Sequence, residues 1–88
     1  MDVAAQFGDN LVRCRKLAGV SQDELSVRAS VHRTEISQLE RGLRIPRIDT
    51  LAKLCACLEV EAGELMEGIN WRPGDRRIGS FKERTPDG

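Results

Sequence analysis

Arg33, Thr34, Ser37, Gln38 and Arg41 are a cluster of hydrogen-bonding side chains whose spacing decides what they can do together. Within SVHRTEISQLERG, Ser30 to Gly42, positions 34, 37, 38 and 41 stand at i, i+3, i+4 and i+7. On a helix they share one stripe, with Arg33 at its N-terminal edge. Ile36 and Leu39 fall on the other side, and a helix this short must dock through them because it is not stable alone. An arginine fork fits guanine, a glutamine amide pairs with adenine, and serine or threonine hydroxyls adapt to several base edges. The stripe therefore suits the major groove of double-stranded DNA, whereas a purely solvated face is the plain alternative. Arg41, Arg44 and Arg47 follow at three-residue intervals, placed to neutralise phosphates.

Other chemistry is poorly supplied. His32 is the single histidine, and no nucleophile–base pair or carboxylate cluster accompanies it, so the chain does not read as an enzyme. The three cysteines are an odd number, which argues against a disulfide framework. Cys14 repeats with Phe7, Leu11 and Ala18 at helical spacing, and Cys55 with Leu51 and Leu58. Cys55 and Cys57 are two apart and would point in different directions on a helix, so small buried hydrophobes are expected and no metal or cofactor. No apolar run approaches the roughly 18 residues of a membrane span, and no signal peptide is recognisable, which points to the cytoplasm and its nucleoid.

The 14 basic and 14 acidic side chains cancel, so attraction to nucleic acid must rest on local charge. The charges do segregate. Glu59, Glu61, Glu64 and Glu67 leave Leu58 to Gly68 without a base, while Arg33, Arg41, Arg44, Arg47 and Lys53 gather near the stripe. Arg72, Arg76, Arg77, Lys82 and Arg84 enrich the tail, where they serve the DNA backbone, a minor groove or only solvent.

The elements that must position the stripe are legible from periodicity and caps. Phe7, Leu11, Cys14 and Leu17/Ala18 mark a first amphipathic helix ended by Gly19. SQDE, Ser21 to Glu24, is a capping box that opens a second helix running to about Ala29, with Val20 and Leu25 as its hydrophobic staple. Val31 and Ile36 bracket a third start at His32, and Val60 and Leu65 bracket a start at Glu61, although neither His32 nor Glu61 is a favoured N-cap. Gly42 stops the third helix, and Glu35 is expected to cap it. LRIPR is a loop because Pro46 keeps Ile45 out of helical conformation. Ile48, Leu51, Leu54, Cys55 and Leu58 line a fourth helix, and a fifth spans about Ala62 to Glu67. The expected fold is all-α, with five short helices over residues 1–67 and an arm over 68–88. In the arm, RPGD signals a type II turn centred on Pro73 and Gly74, making Ile69, Trp71, Ile78 and Phe81 a short hairpin or extended segment, with ERTPDG frayed.

A capped helix, a three-residue link and the stripe helix make a helix-turn-helix. LVRCRKLAGVSQDEL, EISQLERG, IPRIDTLAKL and LEVEAGEL together resemble the Xre family, the lambda-repressor-like regulators, over about Phe7 to Met66. The resemblance implies a sequence-specific DNA-binding transcriptional regulator, by default a repressor. Arg33, Thr34, Ser37 and Gln38 match its base-facing positions, and Gln22 its phosphate-touching glutamine that braces the recognition helix. Arg15 and Glu40 match a structural ion pair between the first and third helices. Ser30 departs from the usual turn glycine, His32 from a small N-cap and Ser26 from a common alanine. A homodimer on a palindrome is expected, joined through the fifth helix and the arm, unless the arm only covers its own domain. The other reading is an antitoxin-type module whose arm, through Trp71 and Phe81, binds a partner protein.

Overall fold

The computed structural model describes residues 1–82, so the expected fraying at ERTPDG and the tail charge Arg84 lie outside the described residues. It contains α1 (Val3–Ala18), α2 (Gln22–Ala29), α3 (Arg33–Glu40), α4 (Ile48–Leu58) and α5 (Ala62–Leu65), then β1 (Trp71–Arg72) and β2 (Ser80–Phe81) paired antiparallel. Phe7, Leu11, Leu25, Ile36, Leu39, Leu54 and Leu65 form the centre of one aliphatic core to which each helix contributes. No described helix is long and apolar enough to cross a membrane.

One device ends α1, α2, α3 and α4. In each, a residue with positive φ lets the following amide reach back five residues to a helix carbonyl: Val20 to Arg15, Val31 to Ser26, Leu43 to Gln38 and Val60 to Cys55. This satisfies the terminal carbonyls, and at Val20, Val31 and Val60 it brings the apolar residue back onto the core, whereas Leu43 is 60% exposed. Val20, Val31 and Val60 then serve twice, because each is also the residue that staples the next helix. Gly19 and Gly42 adopt the left-handed conformation at φ 71° without strain, whereas Ser30 at 54° and Glu59 at 55° are held there by the motif. The Ser30 departure from glycine is therefore tolerated, and Glu59 repeats it. Tight helix-to-helix links follow, and the α2–α3 turn keeps its shape.

The expected boundaries need four corrections. Helix α1 starts at Val3 rather than Phe7, because Asp2 caps it by accepting from the Ala5 amide at 3.1 Å. Leu17 is 81% exposed and Ile48 85% exposed, so neither belongs to the core face expected of it. The last turn of α1 outruns the helices packed on it, and Ile48 is the first residue of α4, beyond the core. Helix α5 is shorter than expected, ending at Leu65, and α1 takes up the carbonyls at and just after its end: Asn10 Nδ2 donates to the Leu65 carbonyl at 2.9 Å and to the Glu67 carbonyl at 2.8 Å. Finally, Gly74 lacks the positive φ of a type II turn. The strands are joined by a longer loop over 73–79, since the register pairs Trp71 with Phe81 and Arg72 with Ser80. The aromatic rings meet edge to face, 5.2 Å apart, and that cross-strand contact outweighs the local turn preference.

The cysteines behave as small hydrophobes: Cys14 is buried, Cys55 and Cys57 are half-buried against the core, and all three are free. Burial and the neighbouring Glu61 push the Cys55 thiol above its ordinary value, which keeps it protonated near neutral pH. Replacing Ser30 with Gly removes the left-handed strain at an exposed position. It is expected to raise stability by about 0.5–1 kcal/mol, the strain relief less the extra backbone entropy of glycine; thermal unfolding would register this as a higher midpoint.

Candidate nucleic-acid interface

The recognition face is assembled from the back of α3 forward. Ile36 and Leu39 are wholly buried, so α3 is seated in the core along its length. Its approach to α1 is unusually close at Gly8, where a Cβ would lie 2.6 Å from the Leu39 carbonyl oxygen and 2.7 Å from that of Glu40. Glycine is required there by contact, not by backbone conformation. At the next turn of α3, Gly42 meets Ala5 in the same way, a Cβ falling 2.9 Å from its Cα. Periodicity gave no sign of Gly8, because on the helical face it reads only as a weak helix former.

Glu40 then locks the rotation of α3. Arg15 Nε donates to Glu40 Oε2 at 2.5 Å and Nη2 to Oε1 at 3.1 Å, a two-pronged pair with side chains only 14% and 5% exposed. Gln22 Nε2 adds a third bond to Oε1 at 2.9 Å, and Arg15 Nη1 reaches the Val20 carbonyl at 3.0 Å. The expected ion pair is thus present, and Gln22 braces it from the start of α2. The hydrogen bond to Glu40 raises the Arg15 guanidinium further above its ordinary value, against the opposing pull of burial. One carboxylate ties α1, α2 and α3 together.

Two further anchors were not foreseen. Glu35 does not cap α3, whose N-terminus has no side-chain cap at His32; it accepts from Thr50 Oγ1 of α4 at 3.4 Å. The half-buried carboxylate turns toward α4, which corrects the capping expected of it. Asn10, fully buried, accepts from Gln6 and Arg13 while donating to the α5 carbonyls, so α1 also fixes the root of the arm. An asparagine inside a helix gives no sequence signal for that role, since its partners are backbone groups some fifty-five positions away.

What this scaffold presents is one open concavity lined by Arg33, Thr34, Ser37, Gln38 and Arg41. All four expected base-facing residues are together, with Arg41 beside them, and none lies behind the protein's own atoms. Asp23 of α2 pairs with Arg33 Nε at 2.9 Å. Both side chains are largely exposed, so the pair orients Arg33 and adds little stability. Arg44 Nη1 donates to Gln38 Oε1 at 3.1 Å, and Arg47 pairs with Asp49 at 3.4 Å. Among the described residues no group of His, Cys, Asp or Glu is arranged to hold a metal ion.

Residues 11–65 match the helix-turn-helix family HTH_3. The chain belongs to this helix-turn-helix family. Its likeness to the uncharacterized HTH-type transcriptional regulator y4dJ of Sinorhizobium fredii is 36% identity over 73 residues, covering 83% of this chain and 95% of that protein. The control protein C.BamHI of Bacillus amyloliquefaciens is 32% identical over 62 residues, covering 69% and 76%. Among solved structures, the restriction-modification controller protein C.AhdI of Aeromonas hydrophila superposes with a TM-score of 0.68 at 31% identity, covering 70% of this chain and 94% of that one. The lambda-repressor-like five-helix fold anticipated from SQDEL and ISQLERG is the fold found.

In this helix-turn-helix unit the Glu40 carboxylate is the most vulnerable point. Arg15→Ala leaves it buried with one donor, and the expected loss is about 3–5 kcal/mol, a large share of the stability of a small domain. Urea unfolding would measure it, and Glu40→Gln, which removes the charge and keeps an acceptor, is expected to lose less.

Proposed function

We propose that this DNA-binding transcriptional regulator reads duplex DNA sequence-specifically as a homodimer, with α3 in the major groove, and acts as a repressor. The observation that carries this reading is the concavity of Arg33, Thr34, Ser37, Gln38 and Arg41 on a helix whose rotation is fixed by Glu40. A stripe of base-edge donors and acceptors is useful only when its orientation is constant, and a buried two-pronged ion pair supplies that constancy. In this reading Arg33, Thr34, Ser37 and Gln38 face bases, and Arg41, Arg44 and Arg47 face phosphates. Gln22 spends its amide on Glu40 and offers the backbone only what remains. Similarity to C.BamHI and C.AhdI, a control protein and a restriction-modification controller, supports regulation rather than catalysis.

Symmetry supports the second copy. One α3 covers only a few base pairs, and two placed about 34 Å apart read successive major grooves on one side of the helix. An apolar groove lined by Val3, Phe7, Ile45, Pro46, Ile48, Leu51, Met66 and Ile69 lies at the α3–α4 link, beside the root of the arm. Ile45, Ile48 and Met66 are 61%, 85% and 43% exposed there, apolar side chains that a second copy would cover. Of the arm residues first assigned to the dimer contact, Ile69 lines this groove, while Trp71 and Phe81 face each other on the hairpin and Ile78 is 96% exposed. In this reading the chain divides into a helical DNA-binding body over 1–67 and an arm over 68–88, whose root is held to the body by Ile69. The antitoxin-type alternative would use the same hairpin, and the comparisons do not favour it.

Selecting bound duplexes from a random pool tests the proposal: a two-fold symmetric motif is expected, and recovery of no motif would end it. Arg33→Ala is expected to weaken the selected site by about 1–3 kcal/mol and to relax one base position in each half-site. Ile48→Asp is expected to lower self-association in sedimentation while leaving the fold intact by circular dichroism; an unchanged association constant would remove this groove from the interface.

A further inference from the structure

We infer that Arg44 sets the base preference of Gln38, turning it toward guanine and away from adenine. The inference rests on the DNA-reading face proposed above. Arg44 Nη1 donates to Gln38 Oε1 at 3.1 Å across the α3–α4 link. A guanidinium has no acceptor, so the amide oxygen must be the atom that faces it, and the usual ambiguity between the two ends of a glutamine amide disappears. The Nε2 group is thereby directed away from Arg44, and it is Gln38, not Arg44, that lines the concavity.

The consequence follows from the groove code. Adenine offers a donor at N6 and an acceptor at N7, so the two-pronged glutamine contact needs the amide oxygen turned to the base. Guanine offers acceptors at O6 and N7, which the two hydrogens of Nε2 can satisfy whichever lone pair of the oxygen Arg44 holds. Adenine instead needs the lone pair beside Nε2 and must share the oxygen with Arg44. Arg44 thus does more than attract the backbone. It is a positioning residue for the readout, and it belongs to the loop after α3 rather than to the recognition helix, where specificity is ordinarily sought. Arg44 is exposed and makes no core contact, so its removal leaves the fold in place.

The experiment is selection of duplexes from a random pool by the full chain and by Arg44→Ala, repeated in a Gln38→Ala background. The wild-type motif is expected to hold guanine at the Gln38 position. Arg44→Ala is expected to shift the guanine-to-adenine ratio there roughly tenfold toward adenine, the size of one good base contact, with the other positions unchanged. In the Gln38→Ala background, Arg44→Ala is expected to move no base preference at all. A uniform loss of affinity with the same motif would show that Arg44 serves the phosphates alone and would overturn the inference. An adenine preference in the wild type would overturn it as well. Failure of the wild type to select any motif would instead remove the DNA-reading face itself, and this inference with it.

Discussion

The carboxylate of Glu40, 5% exposed and accepting from Arg15 Nε, Arg15 Nη2 and Gln22 Nε2, is the constraint on which the recognition face depends. A buried carboxylate tolerates few arrangements, because any rotation of α3 that loses a donor strands part of a charge in the interior. Hydrophobic contact alone would be far more forgiving, since Ile36 and Leu39 could slide by a fraction of a turn and remain covered. The polar pair therefore adds orientation to what the apolar pair provides as adhesion. Gly8 makes the arrangement close enough to work: with no side chain there, α1 comes up against the carbonyls of Leu39 and Glu40, which brings Arg15, two turns further along, within reach of Glu40.

The same economy runs through the helix ends. A chain this short has few residues to give to loops, and Val20, Val31 and Val60 each close one helix and open the next. The core is aliphatic and modest, so capping and stapling contribute a larger share of order than in a bigger domain. Asn10 extends the logic to the far end, where one buried amide holds the last carbonyls of the helical body and fixes where the arm departs. In the described part of the arm the Trp71 and Phe81 rings pair across the strands, with Gly79 leaving room for the Trp71 ring.

In the proposed reading, function on the exposed side depends on small polar couplings built on that frame. Asp23 reaches across the turn to Arg33, and Arg44 reaches back from the loop to Gln38. Neither bond stabilises the fold appreciably, for all four side chains are accessible to water. Each instead narrows the geometry of a group that would otherwise sample many rotamers, and such narrowing distinguishes one base edge from another. The charge layout along the chain is consistent with this division, with four acids and no base between Leu58 and Gly68 and the arginines in and just after α3.

The order of five helices, the capping box at Ser21, the glycine stops and the inward pair Ile36 and Leu39 were all legible in the sequence, because each rests on residues within four or five positions of one another. The stripe was legible for the same reason, as was the Arg15–Glu40 pair once the resemblance to lambda-repressor-like regulators supplied the register. Ile48 and Leu17 were misread as core because periodicity reports which residues share a face, not where the neighbouring helix ends. Gly8, Asn10, Thr50 and Glu35 were missed or misassigned because their partners lie far along the chain, and only packing brings a backbone carbonyl or a hydroxyl to them. Local sequence thus determined the elements and the face each would offer. Tertiary structure alone decided how closely those elements approach and which polar groups meet, since both are set by distances that no spacing along the chain encodes.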